Sequence, residues 1–76
     1  MELSEALRTR IMELCGENKL TLHGLAAVCG MNQSTLDNIV SGRNKSTTIS
    51  TLQKICDGLE IDLPTFFHSD LFRNLK

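Results

Sequence analysis

The sequence predicts an all-α fold of five short helices, and three observations lead there. Leu, Ile and Ala are abundant, Trp and Tyr are absent, and Pro occurs once, which favours a helical core over a sandwich or barrel of short strands. Apolar residues recur at helical rather than alternating spacing. Finally, an apolar residue stands just ahead of a capping residue at three places and is answered five residues later: Leu20 by Leu25 across Thr21, Met31 by Leu36 across Asn32, and Ile61 by Phe66 across Asp62. Each is a hydrophobic staple, which fixes the angle at which the chain joins a helix. A chain of 76 residues holds one small domain, near the size where a single core only just outweighs chain entropy, and leaves no room for a second, ligand-sensing domain.

Helix 1 is expected over residues 4–17. Leu3, Leu7, Ile11, Leu14 and Cys15 recur along its apolar side, Arg8, Arg10 and Glu13 turn outward, and Gly16 and Asn18 loosen its end. Helix 2 runs from Thr21 as N-cap to Cys29 and buries Leu22, Leu25, Ala26 and Cys29; Gly30 supplies the left-handed residue that ends it. Gly24 inside it costs about 1 kcal/mol against Ala and marks either a weak helix or the close approach of another backbone. Helix 3 begins at the cap Asn32 and ends near Gly42, with Leu36, Ile39 and Val40 as its apolar stripe. At ~100° per residue, Ser34, Asn38 and Ser41 fall almost opposite that stripe, while Gln33 and Thr35 flank its N-terminal end. Helix 4 starts after Thr48 and buries Ile49, Leu52, Ile55, Cys56 and Leu59. Helix 5 starts after Asp62, with Pro64 tolerated in its first turn. Helices 2 and 3, joined by a tight turn, form a helix-turn-helix unit whose second helix has the width to enter the major groove of DNA.

Composition excludes several function classes. No apolar run approaches the length needed to cross a bilayer, and the opening MELSEALRTR lacks the apolar region of a signal peptide, so a cytoplasmic protein is expected. Cys15, Cys29 and Cys56 are an odd number at spacings that suit neither a metal knuckle nor a CxxC redox pair; they read as buried free thiols rather than as ligands or sensors. His23 and His68 lie in different segments and read as solvated helix residues. No nucleophile, base and acid arrangement emerges, so neither an enzyme nor a cofactor, metal or small-molecule ligand is expected.

A net charge of −1 is unfavourable for a nucleic-acid partner, because duplex binding is driven largely by counterion release from phosphates. Distribution compensates for the total. From Asn38 to Lys54 there is no acidic residue, while Arg43, Lys45 and Lys54 stand among Ser, Thr and Asn side chains that also bond phosphates. The same stretch reads alternatively as a solvated loop.

From Leu20 to Phe67 the chain resembles the Cro and lambda-repressor type of helix-turn-helix domain, also called the Xre family. The resemblance is carried by Thr21, Leu25-Ala26, Cys29-Gly30-Met31-Asn32, Ser34-Thr35-Leu36, Ile39, Ser41-Gly42-Arg43, Thr51-Leu52, Lys54-Ile55, Leu59 and Ile61-Asp62-Leu63, in order and at family spacing. It implies a five-helix DNA-binding domain that acts as a homodimer on a two-fold operator in double-stranded DNA. Carried onto matching positions, Gln33, Ser34 and Asn38 face bases and Thr35 faces base or phosphate. Thr21, Ser41, Arg43, Asn44 and Lys45 meet the phosphate backbone. The amides of Gln33 and Asn38 both donate and accept, as the N6 and N7 edge of adenine requires.

The chain departs from the family in four respects. Leu22 stands where a phosphate-touching Gln is common. Cys15 and Val40 replace an Arg and Glu pair, an exchange that leaves no orphan charge. Asp37 on the flank of helix 3 repels phosphate unless it accepts from a cytosine N4 group. Ala27 and Val28 occupy usually charged positions and are either tolerated small surface residues or a partner-binding patch. The tail SDLFRNLK adds Leu71, Phe72 and Leu75, which either fold back on the core or form a self-complementary dimer patch. The expected function is a sequence-specific transcriptional regulator acting by operator occupancy. The alternative is a protein-interaction module, an antitoxin or adaptor, on the same fold.

Overall fold

The computed structural model describes residues 1–41 and 47–75. Its elements are α1 (Leu3–Glu17), α2 (Leu22–Cys29), α3 (Gln33–Val40), α4 (Ile49–Leu59), α5 (Leu63–Phe67) and a short C-terminal 3₁₀ turn, Asp70–Phe72. The caps act largely where the sequence places them. Thr21 Oγ1 accepts from Gly24 N at 3.0 Å, Thr48 Oγ1 from Thr51 N at 3.2 Å, and Asp62 Oδ1 from Thr65 N at 2.9 Å. Bonds from the Thr65 side chain and then its backbone N–H hold Asp62 below the usual carboxylate range. Asn32 caps α3 through its extended backbone alone, its side chain making no cap bond.

The ends of α1, α2 and α4 follow one geometry with different residues. After α2, Gly30 has φ 66° and Met31 N donates back to Ala26 O at 3.0 Å. After α4, Glu60 has φ 59° and Ile61 N donates to Cys56 O at 2.9 Å. After α1, the left-handed residue is Lys19 (φ 56°), and Leu20 N donates to Cys15 O at 2.8 Å. This six-to-one closure returns the apolar residue that follows to the core. Gly16, expected to loosen α1, is an ordinary helical residue within it.

Ile11, Leu14, Leu25, Leu36, Leu52, Ile55, Cys56 and Phe66 belong to one core cluster, and Leu20, Met31 and Ile61, the three staple residues, pack against it. α2 makes its most extensive contacts with α4 and then with α3. The close backbone approach that Gly24 suggested occurs instead at Gly58 in α4. A Cβ there would lie 2.5 Å from Cys29 Sγ and 2.8 Å from Cys29 Cα, whereas one on Gly24 would meet only side-chain atoms, at 3.4 Å. The Cys29 thiol also donates weakly to Ile55 O at 3.7 Å, so α2 and α4 meet almost backbone to backbone.

Three expectations about burial are corrected. Leu3 and Ile49 are 48% and 61% exposed, although both lie toward apolar stripes. Each is the first residue of its helix, and side chains lean toward the helix N-terminus, off the end of the packed layer. Arg10, expected to face outward, is buried at 8% exposure. Its guanidinium donates from Nε to Phe66 O at 2.6 Å and from Nη2 to Thr65 O at 2.9 Å, with Glu13 at 3.4 Å on Nη1. The carbonyls of a helix's last turn lack intrahelical partners; Arg10 supplies one to Phe66 O and adds a second donor to Thr65 O, which also accepts from His68 N at 3.2 Å.

The tail folds back on the core. Phe72 packs against it, with ring centroids 4.9 Å from Phe67 and 6.3 Å from Phe66, and the 3₁₀ turn lies on α1.

Candidate nucleic-acid interface

α3 is divided cleanly into two faces. Leu36 and Ile39 are buried at 0% and 3% exposure, and Val40 packs against the core. Gln33, Ser34, Thr35, Asp37, Asn38 and Ser41 are all exposed. Two buried apolar side chains hold the helix by one side, so the polar side is presented to solvent as an unbroken strip. The C-terminal turn, packed on α1, leaves it open.

The expected base-contacting residues Gln33, Ser34, Thr35 and Asn38 are therefore brought together on one exposed face. Among the expected phosphate contacts, Thr21 is exposed at the start of α2, its oxygen accepting the cap bond and its O–H remaining available to donate. Ser41 donates to Asn38 O at a long 3.4 Å, a bond that an outside acceptor readily replaces. Arg43, Asn44 and Lys45, together with Gly42 as the expected end of helix 3, lie outside the described residues.

Two juxtapositions were not recognised in the sequence, although Lys54 itself stands in the basic stretch read there. A groove of about 200 Å³ is lined by Gly30, Met31, Asn32, Thr35, Thr51 and Lys54, which brings an exposed Lys of α4 beside the helix-turn-helix turn. The other is His23, read as a solvated residue. It is exposed, but its Nδ1 lies 2.5 Å from Gln33 Oε1, joining the first turns of α2 and α3. Its signal in the sequence is positional: residues 23 and 33 each lie in the first turn after a capping residue, and a tight turn sets those two helix starts side by side.

The three cysteines are free thiols. Cys15 and Cys56 are buried and Cys29 is half-buried. Desolvation raises all three above the ordinary thiol value, and for Cys29 neighbouring Cys15 and Cys56 push in the same direction. A raised thiol holds less of the reactive thiolate. No group of His, Cys, Asp or Glu among the described residues has a metal-holding arrangement, and no helix among them is long and apolar enough to cross a membrane.

Comparison with known proteins points the same way as the geometry. A family model described as Cro/C1-type HTH DNA-binding domain matches residues 10–67. No curated protein matches the chain. Among solved structures, one titled "Crystal structure of the prophage Lp1 protein 11" is similar at 36% identity and a TM-score of 0.81, covering 91% of this chain and 92% of that one.

Proposed function

We propose, from the premise that this chain belongs to the Cro/C1-type HTH DNA-binding family, that it regulates transcription by occupying a specific operator as a homodimer. The observation that supports this most directly is the open polar face of α3 above the buried Leu36 and Ile39. In this reading α3 lies in the major groove, with Gln33, Ser34 and Asn38 toward base edges and Thr35 toward base or phosphate. Thr21, Ser41, Arg43, Asn44 and Lys45 meet the backbone, and Lys54 beside the turn joins them. The contribution of this basic stretch is local, since the chain as a whole carries −1. The action is occupancy alone, with the protein in the cytoplasm.

The interaction-module alternative rests on exposed Ala27 and on Val28, which is 50% exposed on α2. It draws less support from Val40 and the tail, whose Phe72 packs against the core.

Selection of bound sequences from a random duplex pool tests the proposal. A palindromic consensus is expected, as a two-fold protein dimer requires. Gln33→Ala should cost about 1 to 3 kcal/mol of specific binding and relax preference at one base pair. Lys45→Ala should weaken binding to all sequences and lower the salt slope by about 1. An unchanged consensus with Gln33→Ala would remove α3 as the reading helix. Absence of any duplex binding at low salt, with a stable complex to a protein partner, would favour the alternative.

A further inference from the structure

We propose that Asp37 is a specificity-determining residue of α3: its carboxylate accepts from the N4 amino group of a cytosine and rejects the other bases at that pair. The inference rests on the reading of α3 as the base-contacting helix and adds a residue that this reading leaves out.

Asp37 stands where an acid is least favourable to DNA. Between Glu17 and Asp57 the chain carries no other acidic residue, although that span holds Lys19, Arg43, Lys45 and Lys54 and every proposed DNA contact. The one exception lies on α3 itself, exposed, one helical turn after Gln33 and so on the same side of the helix. Its backbone oxygen accepts from Ser41 N at 2.8 Å. The carboxylate takes part in neither of the ion pairs among the described residues, which join Arg10 to Glu13 and Arg73 to Asp70. It thus serves no charge contact within the described fold.

A carboxylate in this place opposes binding to most sequences. It only accepts hydrogen bonds, and phosphates, guanine N7 and O6, and thymine O4 are acceptors too. Adenine offers a donor at N6, but with its N7 acceptor alongside. Cytosine alone presents a donor, its N4 amino group, with no acceptor on the same major-groove edge. The selection does not depend on how the side chain is turned, since both carboxylate oxygens accept and neither donates. A cytosine offsets the desolvation of the charge, and any other base leaves it poorly paired in the groove. A group of this kind discriminates by weakening the wrong complexes.

The test is a base-preference profile on duplexes substituted one position at a time, for the full chain, Asp37→Ala and Asp37→Asn. The parent should prefer cytosine at one position by roughly 10-fold over guanine or thymine, with adenine second. Asp37→Ala should flatten that position and no other, chiefly by gaining affinity for the duplexes the parent rejects. Asp37→Asn should accept guanine there, because its amide NH2 donates to N7 or O6. The sharpest readout replaces that cytosine by pyrimidinone, which is cytosine without its N4 amino group. The parent should lose roughly 10-fold more affinity from this exchange than Asp37→Ala does. If Asp37→Ala tightens every duplex by one factor and keeps the profile, the carboxylate only repels phosphate and the proposal is overturned. An equal response of parent and Asp37→Ala to the analogue overturns it as well. A parent with no base preference, or a profile unchanged by Gln33→Ala, removes α3 as the reading helix and Asp37 with it. A profile that responds to Gln33→Ala but not to Asp37→Ala defeats the Asp37 assignment alone.

Discussion

Two cross-helix polar contacts divide the molecule into contrasting regions. At one end, Arg10 of α1 reaches the terminal carbonyls of α5, with Nε at 2.6 Å from Phe66 O and Nη2 at 2.9 Å from Thr65 O. At the other, His23 of α2 meets Gln33 of α3 in the open. Both join residues on different helices, and both involve a donor beside an amide or carbonyl oxygen. Burial separates them: Arg10 is 8% exposed and its bond to Phe66 O is buried. A buried polar contact is committed to the fold, because removing one partner leaves the other desolvated. An exposed one costs the fold little, and its groups stay free for an outside ligand. The α1–α5 end builds the platform, and the α2–α3 end carries what the platform presents.

Arg10→Ala should give the largest effect. It removes charge-assisted bonds to two carbonyls and the packing of the side-chain stem, and is expected to lower unfolding free energy by about 3 kcal/mol. Urea denaturation measures this. Arg10→Lys should fall between, since an ammonium lacks the planar fork that meets two acceptors together. A loss under about 1 kcal/mol for the Ala variant would place the contact with ordinary surface pairs and erase the contrast.

Gly58→Ala sharpens the same comparison, because the α2–α4 approach is what ties the presenting helices to the platform. In an open helix the change would stabilise by about 1 kcal/mol. Here the added Cβ would meet Cys29 Cα at 2.8 Å and Val28 O at 2.9 Å, both on the α2 backbone. Forced separation of the two helices should reverse the sign, giving a net loss of about 2 kcal/mol in thermal or urea unfolding. A stabilised variant would mean that α2 yields freely and is not set by α4.

Much of the fold was legible because local rules govern it. Thr21, Thr48 and Asp62 cap by bonds within a single turn, and the Leu36 and Ile39 stripe follows from helical period alone. What escaped depends on neighbours distant in sequence. Arg10 sits on the border of the α1 stripe, and only the arrival of the α5 carbonyls decides that it turns inward. Gly24 and Gly58 are alike as letters; packing of α2 on α4 distinguishes them. Leu3 and Ile49 have the right period but stand at helix starts, where the side chain leans off the end of the packed layer. On the candidate site, the exposed face of α3 was readable. The His23 contact was not, since no periodicity within one helix reports which residue lies across a turn.

The smallest expected effect is the one that tests the contrast most severely. Gln33→Ala removes the acceptor from His23, as Arg10→Ala removes the donor from α5, yet both groups at this end are exposed. The imidazole left behind turns to water rather than remaining desolvated, and Ala has slightly better helix propensity than Gln. Unfolding free energy should therefore stay within about 0.5 kcal/mol of the parent while specific DNA affinity falls. Denaturation and duplex binding measured on one preparation separate the two quantities. A stability loss approaching that of Arg10→Ala would make Gln33 a structural residue, and the open end of the molecule would then be part of its platform.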